Sequence, residues 1–266
     1  MIEGFTSVIV EATKEQTVPF TLLTMGGMSV STKGSQQYLN DVYASQNDGY
    51  TWYEIPKAIK KNAFQEEIPL PQFTKRWSAE SSVLRIYDYN MTNQIMERIY
   101  LIGGYYVKIG AKRNYNIFLN DIYYSDVSIA KANATLNGMN WYSINATDVC
   151  VERSINLDKC IFSPRYGHSL ITFGGDFKRT NIDYVRSKIN PGAQVSSYLI
   201  VIGGRTQVSF VSDVWISKDG GYTWKEQARN SIFGGRAYHT SSSYLKKIFV
   251  FGGRAGSSTQ MFNDVY

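Results

Sequence analysis

The chain has 266 residues, of which 43% are hydrophobic, 19% charged and 14% aromatic, a composition that excludes intrinsic disorder and supplies ample material for a core. Its 28 Lys and Arg against 22 Asp and Glu give a formal charge of +6. The basic residues are scattered rather than arranged in a stripe, so nucleic acid is not an expected partner. No apolar run is long enough to span a bilayer as a helix. The 20 Tyr, 13 Phe and 5 Trp favour β-strands.

Short patterns recur along the chain and predict successive strands. An apolar run ends in two glycines, a second segment opens with an aspartate, and a third carries a tryptophan. The glycines are Gly26, Gly27, Gly103, Gly104, Gly203, Gly204, Gly252 and Gly253; the aspartates are Asp41, Asp121, Asp213 and Asp264; and the tryptophans are Trp52, Trp141 and Trp224. An arginine opens the repeat at Arg76, Arg165 and Arg236, and a histidine follows the last two, at His168 and His239.

Each repeat therefore predicts four antiparallel strands. The first follows the Arg, the second ends at the glycine pair, the third begins at the Asp and the fourth carries the Trp. Glycine pairs permit close backbone approach at a crowded centre, and an Asp at a strand start is expected to cap the preceding turn. The aromatic residues supply bulk between neighbouring sheets. Four-stranded units repeated about every 50 residues, with no helical period, predict radial sheets stacked face to face.

This combination of residues resembles the kelch repeats of galactose-oxidase-type β-propellers, over essentially the whole chain. Two segments of the same repeats also resemble a second motif. Residues 217–224 read SKDGGYTW and are similar to the Asp-box, S-x-D-x-G-x-T-W, of sialidase-like propellers, and residues 45–52 match with Asn47 in place of the Asp. The Asp-box is a hairpin turn in which the Asp accepts backbone N–H groups and the Trp packs beneath, so it predicts structure and no chemistry.

The resemblance implies an all-β fold, a kelch-type propeller of four-stranded antiparallel blades in a single region over residues 1–266. About four blades are expected, at about residues 5–56, 76–145, 163–228 and 235–266, the last incomplete. Insertions are expected at residues 57–75, 87–97, 105–118, 126–136, 145–163 and 174–196. Because a propeller needs four to eight blades, we expect the chain to be part of a larger propeller; alternatively, another chain completes the ring.

No enzyme, metal site or cofactor is expected from the residues. The two histidines occupy the same repeat position, which favours a structural role in hydrogen bonding between blades. A cage of the three repeated arginines, as sialidase chemistry would need, is less favoured because each arginine opens the same strand. The repeated aspartates are interpreted as turn caps rather than as acid–base pairs.

Cysteine and glycan patterns favour an exocytic compartment. Cys150 and Cys160 are expected to form a local disulfide, with two unrelated buried thiols as the alternative. The triplets at Asn90, Asn133 and Asn145 are candidate N-glycosylation sites. No signal peptide is visible at the start of the chain. The expected location is extracellular or in the secretory pathway, and a cytoplasmic protein with reduced cysteines is the alternative.

The insertion at residues 105–118 is expected to be a long loop, and it carries the candidate binding surface. Its mixture of aromatic and cationic side chains is typical of interfaces, although these residues could also simply cover a central opening. The residues are Tyr105, Tyr106, Lys108, Arg113 and Tyr115. The function expected is a non-catalytic scaffold that binds other proteins as a subunit of a larger, extracellular or secretory-pathway assembly. The alternatives are a carbohydrate-binding or sugar-active propeller and a cytosolic kelch adaptor.

Overall fold

The computed structural model describes residues 2–11, 20–32, 34–57, 59–62, 65–69, 72–88, 94–127, 139–144, 161–173, 197–256 and 260–266. Within these ranges the regular secondary structure consists of β-strands and contains no helix, which confirms the all-β prediction for the described residues. The same part of the chain accordingly holds no helix of the length and apolarity needed to cross a membrane.

The strands follow the sequence repeats. Those before residue 90 are β1 Ile2–Glu3, β2 Thr6–Glu11, β3 Phe20–Met25, β4 Met28–Val30, β5 Gln36–Tyr38, β6 Val42–Ser45, β7 Tyr53–Glu54, β8 Ile59–Lys61, β9 Glu67–Pro69 and β10 Glu80–Asp88. Those after it are β11 Gln94–Ile109, β12 Asn114–Val127, β13 Tyr142–Ile144, β14 Arg165–Tyr166, β15 Ser169–Phe173, β16 Tyr198–Thr206, β17 Phe210–Ser217, β18 Lys225–Ala228, β19 Thr240–Tyr244, β20 Lys247–Arg254 and β21 Met261–Val265.

The larger sheets keep the predicted strand order. Two are four-stranded, β2–β3–β6–β7 and β10–β11–β12–β13. In the next, β14 and β15 both pair with β16, which continues through β17 to β18, and the last holds β19–β20–β21. Smaller sheets pair β1 with β4 and β5, and β8 with β9. Antiparallel four-stranded sheets are therefore observed, and this arrangement is compatible with a propeller-like fold.

The prediction of a loop at residues 105–118 is wrong. β11 continues past the glycine pair to Ile109 and β12 begins at Asn114, so this segment is a long hairpin closed by a short turn. The turn is held by the Gly110 N–H, which donates to the Arg113 carbonyl at 3.1 Å. Alternating Tyr, Val and Ile residues suit a strand, and they extend the sheet beyond the length of the neighbouring repeats.

Contacts along the chain define two compact units. The first comprises Met1–Trp77, Ser81–Leu101 and Tyr123–Ser143, and the second comprises Ser78–Glu80, Ile102–Ile122 and Ile144–Tyr266. β11 and β12 therefore contribute residues to both units.

Apolar side chains fill the second unit between two consecutive sheets. Ile171 of β15 and Ile202 of β16 form one buried cluster with Val250 of β20 and with Phe233, which lies between β18 and β19. Burial of aliphatic and aromatic area of this kind is the main stabilising term in folding. Residues of two consecutive sheets therefore contribute to one hydrophobic core in this unit.

The repeated tryptophans differ in environment. In the first unit Trp141 is buried and meets Phe73 edge to face at 4.9 Å, and in the second unit Trp224 meets Phe162 in the same way at 5.0 Å. Trp52 is instead 44% exposed. Trp141 and Trp224 are thus buried against phenylalanines that lie outside the strands, whereas Trp52 is largely exposed and does not supply the buried bulk predicted for it.

The hairpin turns at residues 45–52 and 217–224 are both closed by hydrogen bonds from a side chain to the backbone. The Asp219 carboxylate accepts the Thr223 N–H at 2.8 Å, and the Trp224 indole donates to the Gly221 carbonyl at 3.0 Å. In the first unit the Asn47 side-chain oxygen accepts the Thr51 N–H at 2.9 Å. An amide oxygen therefore replaces the carboxylate oxygen without loss of the turn.

Candidate interaction surface

The repeated arginines are bound to the repeated aspartates. In the second unit Arg165 is fully buried and donates to both oxygens of Asp213, at 2.6 and 2.8 Å, and to the Gly203 carbonyl at 2.9 Å. The Trp215 indole donates to the same carboxylate at 2.8 Å. Asp213 was expected to cap a turn; it accepts instead from a guanidinium that opens the first strand of its own sheet.

The next repeat has the same pairing. Arg236 donates to both oxygens of Asp264, at 2.5 and 3.0 Å, and to the Gly252 carbonyl at 2.7 Å. The guanidinium lowers the pKa of the Asp264 carboxyl. Asp264, like Asp213, was expected to cap a turn and instead binds an arginine. In the first unit Asp41 lies 3.8 Å from the ammonium of Lys57, an exposed contact of little energetic weight.

A phenylalanine three residues before each arginine was missed from the sequence. Phe73, Phe162 and Phe233 are buried, and the guanidinium of the following arginine lies over each ring at 5.8, 5.4 and 5.9 Å. The asparagines before two of the repeated aspartates donate to the phenylalanine carbonyls, as Asn120 does to Phe162 at 3.2 Å. The spacing Phe-x-x-Arg recurs in the sequence, and this recurrence could have identified the phenylalanines.

The histidines pack against the glycine pairs within the second unit. A side chain at Gly103 would meet the His168 ring at 2.9 Å, and one at Gly203 would meet the His239 ring at 3.0 Å. His239 Nε2 lies 3.1 Å from the hydroxyl of Ser169 in the preceding sheet. His239 thus makes the hydrogen bond between successive sheets that was expected of the histidines, whereas both ring nitrogens of His168 have no hydrogen-bond partner among the described residues. The two rings leave no room for a side chain at Gly103 and Gly203.

Burial keeps both histidines neutral. Burial, reinforced by the charge of Arg165, holds the pKa of His168 well below its usual value. Burial and the neighbouring Arg236 lower the pKa of His239 to about 4. An imidazole in this state cannot carry the positive charge that an acid catalyst near neutral pH would need.

These shifts predict an acid-sensitive fold. As the pH falls from 6.5 to about 4, histidines protonate in the unfolded chain while His239 and His168 stay neutral in the folded one, so stability decreases over this range. Replacing His168 by Phe should remove the contribution of His168 to this pH dependence. That contribution is about 1.4 kcal/mol in the free energy of unfolding for each pH unit in which only the unfolded histidine is charged. Urea unfolding at several pH values measures this. Identical pH profiles for the variant and the parent protein would refute the assignment.

A polar cavity of about 440 Å³ lies in the second unit beside the Arg165–Asp213 pair. Its walls include Asp213, Trp215 and the ion pair between Glu226 and Arg229, whose atoms are 3.1 Å apart. Both oxygens of Asp213 already accept hydrogen bonds from Arg165, and one also accepts from Trp215. Most of the charge around the cavity is therefore neutralised by the protein itself.

The five predicted surface residues lie on the long hairpin in the second unit. Lys108, Arg113 and Tyr115 are exposed near its tip, and the Arg113 guanidinium stacks over the Tyr115 ring at 4.9 Å. Tyr106 is partly buried, and Tyr105 donates its hydroxyl to the side-chain oxygen of Asn116 at 3.0 Å. The structure thus brings these residues onto one hairpin, with those near the tip exposed.

An aromatic row continues from the base of this hairpin. The Tyr105 ring lies 5.4 Å from Phe118 and 5.3 Å from Tyr166, and Tyr166 lies 5.9 Å from Tyr238. Tyr105 lies on β11, Tyr166 on β14 and Tyr238 on the connection before β19, so the row links successive repeats within the second unit. Tyr166 and Tyr238 were not singled out from the sequence, because nothing in their local spacing indicates that they meet.

Backbone hydrogen bonds join the same repeats. The Tyr238 N–H donates to the Gly167 carbonyl at 2.7 Å, and the Gly167 N–H donates to the Ser78 carbonyl at 3.2 Å. Each of these residues stands two positions after a repeated arginine, and each has a positive φ, of 52° to 58°. Equivalent positions of consecutive repeats are therefore in direct main-chain contact.

The remaining predicted sites are not described by the structure. Cys150 and Cys160, with the candidate glycosylation sites Asn90, Asn133 and Asn145, lie outside the described residues. A comparison of the sequence with models of known protein families and with curated proteins finds no match. Function is therefore argued from the chemistry of the surface.

Proposed function

We propose that this chain is a non-catalytic, kelch-type propeller with Asp-box turns that serves as a protein-binding scaffold, as a subunit of an extracellular or secretory-pathway assembly. Four repeats with a common order of strands, recurring glycine pairs and recurring Arg–Asp pairs support the kelch assignment. The turns at residues 45–52 and 217–224 support the Asp-box assignment.

The observation that carries the proposed function is the contrast between the repeated charged residues and the long hairpin. The repeated arginines Arg165 and Arg236 are bound inside the second unit by aspartates of their own repeats. The hairpin tip instead exposes Ile109 at 81% and Tyr115 at 44%, beside exposed Lys108 and Arg113. An aliphatic and an aromatic side chain among cations at the end of a hairpin have the composition of a protein-binding surface.

Enzymatic and sugar-active alternatives have less support. A carboxylate-gripping cage would need free guanidinium groups, whereas Arg165 and Arg236 are each engaged by a carboxylate. A sugar in the cavity beside Asp213 would need acceptors for its hydroxyls, and both oxygens of that carboxylate are already used. The buried, neutral histidines are poorly placed to transfer protons to a substrate.

The exocytic setting rests on Cys150, Cys160 and the three sequons. We propose that the cysteines form a local disulfide and that at least one sequon carries a glycan. Mass spectrometry of the protein secreted from a eukaryotic host measures both modifications. A protein with two free thiols and no glycan would favour the cytosolic adaptor.

The binding function is tested by changing the hairpin tip. We expect Ile109→Ser combined with Tyr115→Ser to reduce capture of the protein's native partners by about tenfold or more, because truncating central interface residues costs about 2 kcal/mol or more. Tyr244→Ser is the matched control, since Tyr244 is 67% exposed on the β19–β20 hairpin of the same unit. Quantitative affinity capture after cross-linking, with circular dichroism to verify folding, makes the measurement. An unchanged set of partners in the hairpin variant would contradict the proposal.

A further inference from the structure

Two arginines of the second unit follow glycine pairs directly. Arg205 follows Gly204 and Arg254 follows Gly253, the repeat position that Tyr105 occupies after Gly104. Both side chains are only partly buried. Among the described residues neither guanidinium has a carboxylate within ion-pair distance, in contrast to the arginines that open the repeats. Within the described part of the chain, these two cations therefore have no charged partner, in contrast to Arg165 and Arg236.

The two arginines belong to one contiguous cluster. Arg205 stands directly opposite Tyr166 in the pairing of β16 with β14, so their side chains share one face of the sheet. The rings of Tyr166 and Tyr238 are 5.9 Å apart, and the Arg254 guanidinium lies over the Tyr238 ring at 4.5 Å. We call Tyr166, Arg205, Tyr238 and Arg254 the arginine–tyrosine cluster.

Aromatic contacts hold both guanidinium groups without neutralising them. Arg205 stacks over the Phe210 ring at 4.9 Å, and Arg254 stacks over Tyr238. The Tyr238 hydroxyl is hydrogen-bonded to Arg254 and to Tyr166, and burial, with a smaller contribution from Tyr166, raises its pKa to about 12. The hydroxyl thus stays uncharged at physiological pH, and it orients Arg254 without forming an ion pair.

The backbone conformation of Tyr238 is a second unusual feature of the cluster. Its φ is +58°, a conformation that bulky residues rarely adopt, whereas the equivalent position of the preceding repeat is Gly167. The conformation is maintained by the N–H bond from Tyr238 to the Gly167 carbonyl at 2.7 Å. Strained residues of this kind cluster at binding sites. The strained residue here, Tyr238, is the one whose ring lies beneath the Arg254 guanidinium.

We propose that the arginine–tyrosine cluster binds the carboxylates of an acidic peptide segment of the protein partner, an inference that rests on the proposed function and names the chemistry of its partner. Planar guanidinium groups held by aromatic rings are suited to bidentate binding of carboxylates. The cluster is continuous with the hairpin through the 5.3 Å contact of Tyr166 with Tyr105. The hairpin adds the exposed cations Lys108, Lys112 and Arg113.

A single-stranded nucleic acid is a poorer fit to the same surface. Base stacking needs open aromatic faces, but Tyr105, Tyr166 and Tyr238 are packed against one another at tilted angles of 48° and 57°. A carboxylate needs only the donor edges of the guanidinium groups, which ring stacking leaves free. The observations therefore favour an acidic peptide over RNA.

Fluorescence anisotropy with defined probes tests the inference. The probes are a labelled glutamate-rich peptide, its glutamine counterpart of equal length, and labelled oligouridylate. We expect the parent protein to bind the glutamate peptide in preference to the other two, and Arg205→Gln combined with Arg254→Gln to weaken that binding by about tenfold or more. Arg205→Lys combined with Arg254→Lys should recover only part of the affinity, since an ammonium cannot bind a carboxylate in the bidentate mode.

A matched control removes the same charge elsewhere on the second unit. Arg229→Gln combined with Lys218→Gln changes two exposed cations, one of which is paired with Glu226, and should leave the affinity for the glutamate peptide nearly unchanged. Equal losses in the two double variants would overturn the inference in favour of non-specific attraction. Tighter, arginine-dependent binding of oligouridylate would overturn it in favour of RNA.

The hairpin variant separates this inference from the proposed function. If native partners are lost on changing Ile109 and Tyr115 but retained by the Arg205–Arg254 variant, the scaffold function stands and the acidic-peptide inference fails. If the glutamate peptide binds through the two arginines but the Ile109 and Tyr115 substitutions leave the capture of partners unchanged, the acidic-peptide inference is supported and the proposed hairpin surface is wrong.

Discussion

Replacing Arg165 by Met should lower the free energy of unfolding by about 3–5 kcal/mol, because breaking a buried ion pair leaves the remaining charge uncompensated. Arg165 is fully buried, and the side chain of its partner Asp213 is only 12% exposed. The variant also removes the donors to the Gly203 and Ser163 carbonyls. Removing the charge of Asp213 as well, by Arg165→Met with Asp213→Asn, should recover part of the loss.

Arg229→Met is the matched control for this effect. Arg229 also pairs with a carboxylate, that of Glu226, but its side chain is 71% exposed, so its loss should cost less than about 1 kcal/mol. Urea unfolding followed by tryptophan fluorescence compares the two. Similar losses for Arg165→Met and Arg229→Met would mean that the repeated Arg–Asp pairs do not stabilise the sheets.

Replacing Gly204 by Ala should destabilise the protein by about 3 kcal/mol or more, through backbone strain and overpacking together. Gly204 has a φ of +111°, where residues with a side chain are strained. An added methyl group would lie 2.8 Å from the His168 Cβ and 3.1 Å from the Tyr166 carbonyl oxygen. Neither atom can move without displacing the backbone to which it is attached.

Gly234 separates strain from crowding. Its φ of +68° also disfavours a side chain, but no atom lies within 4 Å of the position that an added methyl group would take. Gly234→Ala should therefore cost only about 1–2 kcal/mol. Equal losses at Gly204 and Gly234 would show that crowding against Tyr166 and His168 adds nothing to the cost of the strained backbone.

Much of the fold was predictable because its signals are local. The glycine pairs, the repeated aspartates and the turns at residues 45–52 and 217–224 each concern a few consecutive residues, and the order of the strands agrees with the prediction. The predicted strand ends are wrong, because β16 and β20 continue past their glycine pairs and β17 and β21 begin before their aspartates. The partners of those residues were not predictable. Arg165 and Asp213 are 48 positions apart, and recurrence alone does not say that their side chains meet. The exposure of Trp52 was not predictable either, because it depends on which distant residues pack around the side chain.

The candidate surface was predictable only in part. The hairpin residues were found because aromatic and cationic side chains are concentrated within residues 105–115. The extended hairpin was mistaken for a loop, since the length of the insertion suggested irregular structure. Tyr166, Arg205, Tyr238 and Arg254 are spread over three strands and one connection, and only strand pairing and the packing of successive repeats bring them together.

Hydrogen exchange at two backbone amides tests most directly whether successive repeats are joined at equivalent positions. The Gly167 and Tyr238 amides lie outside the strand ladders and donate to carbonyls of the preceding repeat, Ser78 and Gly167. We expect both amides to exchange as slowly as those in the middle of β16, because they open only when neighbouring sheets separate. Exchange at the rate of the exposed turn at residues 245–246 would contradict a scaffold built from repeats in direct main-chain contact.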